Sequence, residues 1–339
     1  MRMKTNISRL RRAILRITVI VAVGLGVPIV IAWMVIAQPV LWYPSKASQL
    51  AVNPERLAQH VRLLSTTFAP RDSEHPDNLD RAAAYITRQF EAANGQVSEQ
   101  SYDIRGKTYR NVIAMFGPET RERIVIGAHY DAFDTFPGAD DNASGVAGII
   151  ELASLLGGAL LPMRVEVVAF TLEEPPYFDT SLMGSAVHAQ SLKTQGVTIR
   201  TMIALEMIGY FSDAPASQHV PVPILRLFYP SRGNFIAVIG KLGQGRLVRR
   251  IKKAMQGAVT LPVYSMNGPR FIQGIDYSVH RSYWVAGFPA LMITDTAFYR
   301  NDKYHTVQDT LERLDYARMG LVVQSVYAAV LDVATASIE

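Results

Sequence analysis

Three apolar runs in the middle of the chain each end in side chains that can bind a cation. Residues 124–128 lead into His129-Tyr130-Asp131, residues 165–172 into Glu173-Glu174, and residues 201–205 into Glu206. Between the first two stands a turn of small residues, Gly138-Ala139-Asp140-Asp141-Asn142-Ala143-Ser144-Gly145, and far downstream comes Tyr304-His305-Thr306-Val307-Gln308-Asp309. One carboxylate at the end of a strand means little, since it is usually solvated. Carboxylates and an imidazole at three successive strand ends describe a place where several ligands converge. The chain has no cysteine, which excludes disulfides and thiolate catalysis and leaves His, Asp and Glu to build any metal site. Imidazole nitrogen and carboxylate oxygen suit zinc, and zinc beside a free carboxylate suits hydrolysis by activated water.

The elements that must position these groups are legible from periodicity. Asn53 caps a helix carrying Leu57, Val61 and Leu64 on one face, and residues 78–93 form a second helix. Strands and helices then alternate: strands at 111–116 and 124–128, a helix at 144–156, a strand at 165–171, a helix at 181–192 and a strand at 201–205. The last third reads as a strand at 235–239, a helix at 246–256, a strand at 290–294 and a closing helix at 316–334. Such alternation predicts an α/β fold, a largely parallel, mixed central sheet with helices on both faces. Functional groups in sheets of this kind gather just outside the carboxyl ends of the strands, where the ligand-type residues stand.

At these residues the sequence resembles the M28 peptidases, a family of co-catalytic zinc aminopeptidases. The matching blocks are His129, the Gly138–Gly145 turn, Glu173-Glu174, Met183-Gly184-Ser185, Glu206-Met207-Ile208-Gly209 and the stretch from Asp295 to Asp309. In order and spacing they cover roughly residues 51–335. The resemblance implies a zinc aminopeptidase or phosphorylase/hydrolase-like fold and two zinc ions. It makes Asp141 the bridging ligand, with His129 and Glu206 completing one ion and Glu174 and His305 the other. Glu173 is left unligated as general base, and Tyr304, or second Tyr277, steadies the tetrahedral intermediate. Asp131 is expected to accept the second N–H of His129 and fix its tautomer. The sequence departs from the family pattern at Glu206, where many members have Asp, and at Val279, where the family usually reads Asp. Asp276 stands near enough to substitute for that carboxylate.

Charge sets the partners. Arg2, Lys4, Arg9, Arg11, Arg12 and Arg16 precede any acid and contribute +6 to a formal charge of +5, so the remainder is close to neutral and no nucleic-acid face is expected. Residues 17–37 carry no charge and are long enough to cross a bilayer, with Trp33, Trp42 and Tyr43 placed as interfacial aromatics. The expected order is a cytoplasmic basic tail (1–16), a transmembrane helix (17–37), a stalk (38–50) and an extracytoplasmic catalytic domain (51–339). Its expected substrate is a peptide cleaved at the amino-terminal bond. The competing readings are a glutaminyl cyclase with one zinc, a cleaved signal peptide in place of the anchor, and a metal-free receptor or scaffold on the same fold. Oligomeric state is not legible.

Overall fold

The computed structural model describes residues 24, 26–43 and 51–335. Helix α1, Gly26–Ala37, is the described part of the predicted membrane span, and residues 17–23 and 25 lie outside the described residues. Among the described residues the one helix both long and apolar enough to cross a membrane is α8, Tyr316–Ala334. It is a core helix, with 61% of its apolar window buried.

Helix α2, Pro54–Arg62, starts as its cap residue predicts: the Asn53 side chain accepts the Glu55 N–H, and Pro54 occupies the first turn. Leu57, Val61 and Leu64 are fully buried, each worth about 1.5–3 kcal/mol of transfer free energy. Helix α3 is Pro76–Ala92, and α4, α5, α6 and α7 are Gly145–Gly157, Gly184–Thr194, Gly245–Ala258 and His280–Ala286. The strands are β1 Gln96–Ile104, β2 Lys107–Phe116, β3 Glu122–His129, β4 Arg164–Phe170, β5 Thr198–Glu206, β6 Ile236–Lys241, β7 Val263–Gly268 and β8 Ala290–Thr294.

They form one eight-stranded sheet in the order β1-β2-β4-β3-β5-β8-β6-β7. Its centre, β4-β3-β5-β8, is parallel, while the pairs β1/β2, β2/β4 and β6/β8 are antiparallel. The sheet is therefore mixed, with the expected parallel heart. Two apolar clusters lie against it. The larger takes in α2, α3, α4, α6 and α8, and the smaller packs α5 and α7 against residues such as Val125, Val168 and Met202. The register sets His129 beside Phe170 and Glu206 beside Thr294, so the parallel strands end level and open onto one rim.

Three elements were not predicted from the pattern. β1 (Gln-Val-Ser-Glu-Gln-Ser-Tyr-Asp-Ile) is an edge strand with mostly exposed or half-exposed side chains, so it lacks the apolar alternation that marks a strand. It is held by a hairpin through Arg105 and Gly106, both at positive φ. β7 is the opposite edge, and α7 is too short for a helical period to show.

Asn142 joins the sheet to α4. Its Oδ1 accepts the N–H groups of Gly145 and Met207, at 3.1 and 3.0 Å, and its Nδ2 donates to Leu205 O at 2.9 Å. Asn142→Ala leaves buried backbone groups without partners and is expected to lower unfolding free energy by ~2–5 kcal/mol, measured by urea denaturation. Asn142→Asp keeps the acceptor but turns a carboxylate oxygen toward Leu205 O and Glu206 Oε2, so it should lose at least as much.

Candidate metal centre

The rim collects the ligand-type residues from five segments of the chain. His129, ending β3, points Nε2 at Asp141 Oδ1 (3.4 Å) and Glu206 Oε1 (3.4 Å), with Glu173 Oε2 at 3.9 Å. On the other side His305 Nε2 lies 3.0 Å from Asp141 Oδ2 and 3.3 Å from Glu174 Oε1. The two oxygens of Asp141 thus face different histidines. His129, Asp141 and Glu174 offer ligand atoms all within 4.8 Å of one another, a group that straddles both halves and marks them as one confluent site.

These residues fit a cation better than they fit each other. Glu174 Oε1 and His305 Nε2 are buried and only 3.3 Å apart, yet neither makes a hydrogen bond, as befits ligands aimed at a common third point. Asp131, Asp141, Glu173, Glu174 and Glu206 are all buried, against two imidazoles. Burial, then the charge of Asp141, pushes the Glu174 carboxyl up to about 7. Burial, reinforced by Glu174 and Glu206 and opposed by His129, raises Glu173 well above the usual carboxylate range. Against burial, the carboxylates win at both histidines: Glu206 and Glu173 raise His129, and Asp141 and Glu174 push His305 up to about 10. Burial likewise raises Asp141, but the two histidines facing its oxygens outweigh it and hold its carboxyl low. A buried surplus of anionic oxygen at this density calls for cationic charge.

Asp131 meets both the His129 ring and the Glu174 backbone. The Nδ1–H of His129 donates to the Asp131 backbone carbonyl at 3.2 Å, while the carboxylate Oδ1 sits farther away at 3.5 Å. The carboxylate Oδ2 instead accepts the Glu174 N–H at 3.0 Å, so Asp131 sets the backbone from which Glu174 projects. Removing this support in Asp131→Ala is expected to weaken zinc binding on the order of 10–100-fold, read by competition with a chromogenic chelator.

Tyr304 stacks on His305, with ring centroids 3.8 Å apart, and Phe133 covers its other face at 4.0 Å. Burial and the charges of Asp141, Glu174, Glu173 and Glu206 hold the Tyr304 phenol protonated and able to donate. Tyr277 is 41% exposed and stands farther out, beside Phe298.

Several supporting residues escaped the sequence reading. Arg71 is fully buried and donates to the carbonyls of Tyr130 (2.8 Å), Leu64, Pro137 and Gly138, clamping the segment after His129 to the turn before Asp141. Burial lowers its pKa to about 10, so it stays charged beside the carboxylates. Asp309 accepts the N–H groups of Asp140 and Asp141, and Asp140 in turn accepts from Gly209 N and Asn301 Nδ2. Ser278 donates to Glu206 Oε2 at 2.6 Å. Membership of a matching block was the one sequence signal for Asp140, Asn301 and Asp309, and Arg71 had none. Val279 is buried in the smaller apolar cluster, and Asp276 is engaged by Arg270 and Arg281 at 3.1 and 2.6 Å instead of entering the site. His60, buried against Tyr85 and Glu151, and His188, buried against Tyr283, are packing residues.

Next to Glu206 a cavity of about 90 Å³ runs under the edge of the sheet. Ile275, Tyr277, Met292, Phe298 and Tyr299 give it an apolar wall.

Comparison with known proteins bears on this arrangement. The sequence matches "Peptidase family M28" over residues 111–330. It is 48% identical over 282 residues to "Uncharacterized protein YfbL" of Escherichia coli (strain K12), covering 81% of this chain and 86% of that one. It is 26% identical over 225 residues to "Leucine aminopeptidase 1" of Phaeosphaeria nodorum, covering 62% of this chain and 51% of the relative, so the chain spans about half of that protein's length. The structure superposes on a zinc aminopeptidase from Bacillus subtilis with a TM-score of 0.67, at 15% identity, covering 84% of this chain and 96% of the other, a likeness of fold.

Proposed function

The chain belongs to peptidase family M28, and from that premise we propose that it is a zinc-dependent aminopeptidase with a two-ion centre. The observation that carries this reading is Asp141, whose two carboxylate oxygens each face one histidine and one glutamate-bearing half of the site. His129, Asp141 and Glu206 would hold one zinc, and Asp141, Glu174 and His305 the other. Bound zinc supplies Lewis acidity toward a carbonyl oxygen and lowers the pKa of water toward ~7. Glu173, at the rim and free of ion-pair partners closer than 3.9 Å, takes the proton from the attacking water and hands it to the departing amine. The Tyr304 hydroxyl donates to the oxygen that becomes anionic as the carbonyl is attacked. The apolar cavity beside Glu206 receives the side chain of the residue being released, which favours substrates with apolar amino-terminal residues.

The test pairs metal analysis with substrate cleavage. About two zinc per chain and release of leucine from leucyl-peptides, with seryl- or aspartyl-peptides cleaved more slowly, is the expected result. One zinc per chain with pyroglutamate formation from an amino-terminal glutamine would move the reading to a glutaminyl cyclase. Purified protein without affinity for zinc at neutral pH would move it to a binding scaffold.

The same proposal places the catalytic domain outside the cytoplasm on an uncleaved single-pass anchor. It rests on the six basic residues before the uncharged run 17–37 and on α1, whose Val27, Ile31 and Met34 are 50%, 56% and 57% exposed with no protein to cover them among the described residues. A reporter fused after Glu339 is expected to work only on the far side of the membrane. Activity of that reporter in the cytoplasm, or a mature chain that begins near Gln38, would overturn the anchored arrangement.

A further inference from the structure

Helix α6 carries a stripe of four cations, Arg246, Arg249, Arg250 and Lys253, spaced i, i+3, i+4 and i+7 so that they share one exposed face. Its opposite face, through Val248, Ile251 and Met255, is buried in the core, so the helix is anchored and the stripe has a fixed direction. Arg250 is paired with Asp332 at 2.6 Å. Arg246, Arg249 and Lys253 have no carboxylate partner among the described residues.

The stripe stands where the chain leaves α1. Lys252, on the buried side of the same helix, donates to Ala37 O at 2.8 Å and Gln38 O at 3.2 Å, and Ser265 Oγ also donates to Ala37 O at 2.8 Å. The last carbonyls of α1 are thereby fastened to α6 and β7. Beyond them Leu41 and Trp42 are 86% and 71% exposed, and Lys253 Nζ lies 5.5 Å from the centre of the Trp42 ring. Between this segment and the helices runs an open groove of about 950 Å³. Its floor is apolar, with Ala254, Tyr327 and Leu331, the three cations without a carboxylate partner line it, and Asp332 is the one acidic residue lining it among the described residues.

We propose that this groove is a binding site for an anionic phospholipid of the bilayer that α1 enters, with the phosphate held by Arg246, Arg249 and Lys253 and the first acyl carbons against the apolar floor. The inference rests on the anchored reading above. Two observations favour lipid over another polyanion. The groove joins a cationic rim to an apolar floor, which a headgroup with its chains matches. It is also continuous with exposed Leu41 and Trp42, the residue types that settle at a membrane interface. Because α1 is fastened to α6, binding there would fix the tilt of the catalytic rim relative to the membrane.

The test uses the full chain in nonionic detergent micelles, titrated with short-chain phosphatidylglycerol, short-chain phosphatidylcholine or glycerol phosphate. Saturable binding of the anionic lipid, weakened by salt, with little binding of the other two, is expected. The combined variant Arg246→Gln/Arg249→Gln/Lys253→Gln should bind at least ~10-fold more weakly. It should keep peptidase activity in micelles, which shows that it folds, and Arg246→Lys/Arg249→Lys should bind nearly as the parent does. Equal binding of both lipids, undiminished binding by the Gln variant, equal affinity for glycerol phosphate, or displacement of lipid by an oligonucleotide at lower concentration would overturn the proposal. The micelle measurement does not require α1 to cross a bilayer. Release of the chain from membranes by alkaline carbonate therefore tests the anchor alone, while loss of headgroup selectivity tests the groove alone.

Discussion

Glu173→Gln is expected to keep the wild-type zinc content and to lose kcat by on the order of 10²–10⁴, the scale of general acid–base catalysis. Glutamine preserves the length and a hydrogen-bonding head but removes the basic oxygen. The nearest imidazole nitrogen to Glu173 is 3.9 Å away, farther than the contacts His129 makes with Asp141 and Glu206, so the substitution leaves the ligand set alone. Glu174→Gln is the informative partner. Its Oε1 lies 3.3 Å from His305 and its backbone is held by Asp131, so this variant should lose zinc as well as rate. If Glu173→Gln lost zinc while Glu174→Gln kept it, the two roles would be exchanged. If Glu173→Gln cleaved peptides at the parental rate, the general-base mechanism would fail.

Asp141→Asn should have the largest effect on the metals. One carboxylate serves both halves, with Oδ1 toward His129 and Oδ2 toward His305. An amide turns an NH₂ donor toward one of them and removes a negative charge from both. Zinc content is expected to fall from about two per chain to one or fewer, and activity to drop at least ~10³-fold. Chelation should lower the Tm of the parent, because a ligand that binds only the folded state stabilises it, and the shift should be smaller in Asp141→Asn. His305→Gln serves as the control, since it touches only one half. An Asp141→Asn protein that retained two zinc ions and its activity would rule out a bridging role.

Four of the candidate ligands were visible in the sequence because each sits where a local pattern stops, while His305 was marked by the family resemblance alone. An apolar strand that ends in His129, Glu173-Glu174 or Glu206 announces both the strand and the group at its tip, and the Gly138–Gly145 turn announces Asp141. The supporting residues have no such local signal. Arg71 lies in a segment without periodicity, and Asp309 reaches the backbone of Asp141 from 168 residues away. Ser278 meets Glu206 across 72 residues.

What the sequence determined by itself was the inventory: an α/β chain, a metal-type set of His, Asp and Glu, and a basic apolar amino terminus set apart from a near-neutral remainder. Hydrophobic period reports which face of an element is buried, and that is a property of a few consecutive residues. The tertiary structure decided what those residues meet. The order β4-β3-β5-β8 brings the strand tips to one level rim and divides Asp141 between two histidines. The same folding set the Asp131 carboxylate between the Glu174 backbone and the His129 ring, withdrew Asp276 into an arginine pair, and laid the cationic face of α6 beside the end of α1. Each of these depends on which distant segments become neighbours, and strand order and helix docking carry that information where local pattern does not.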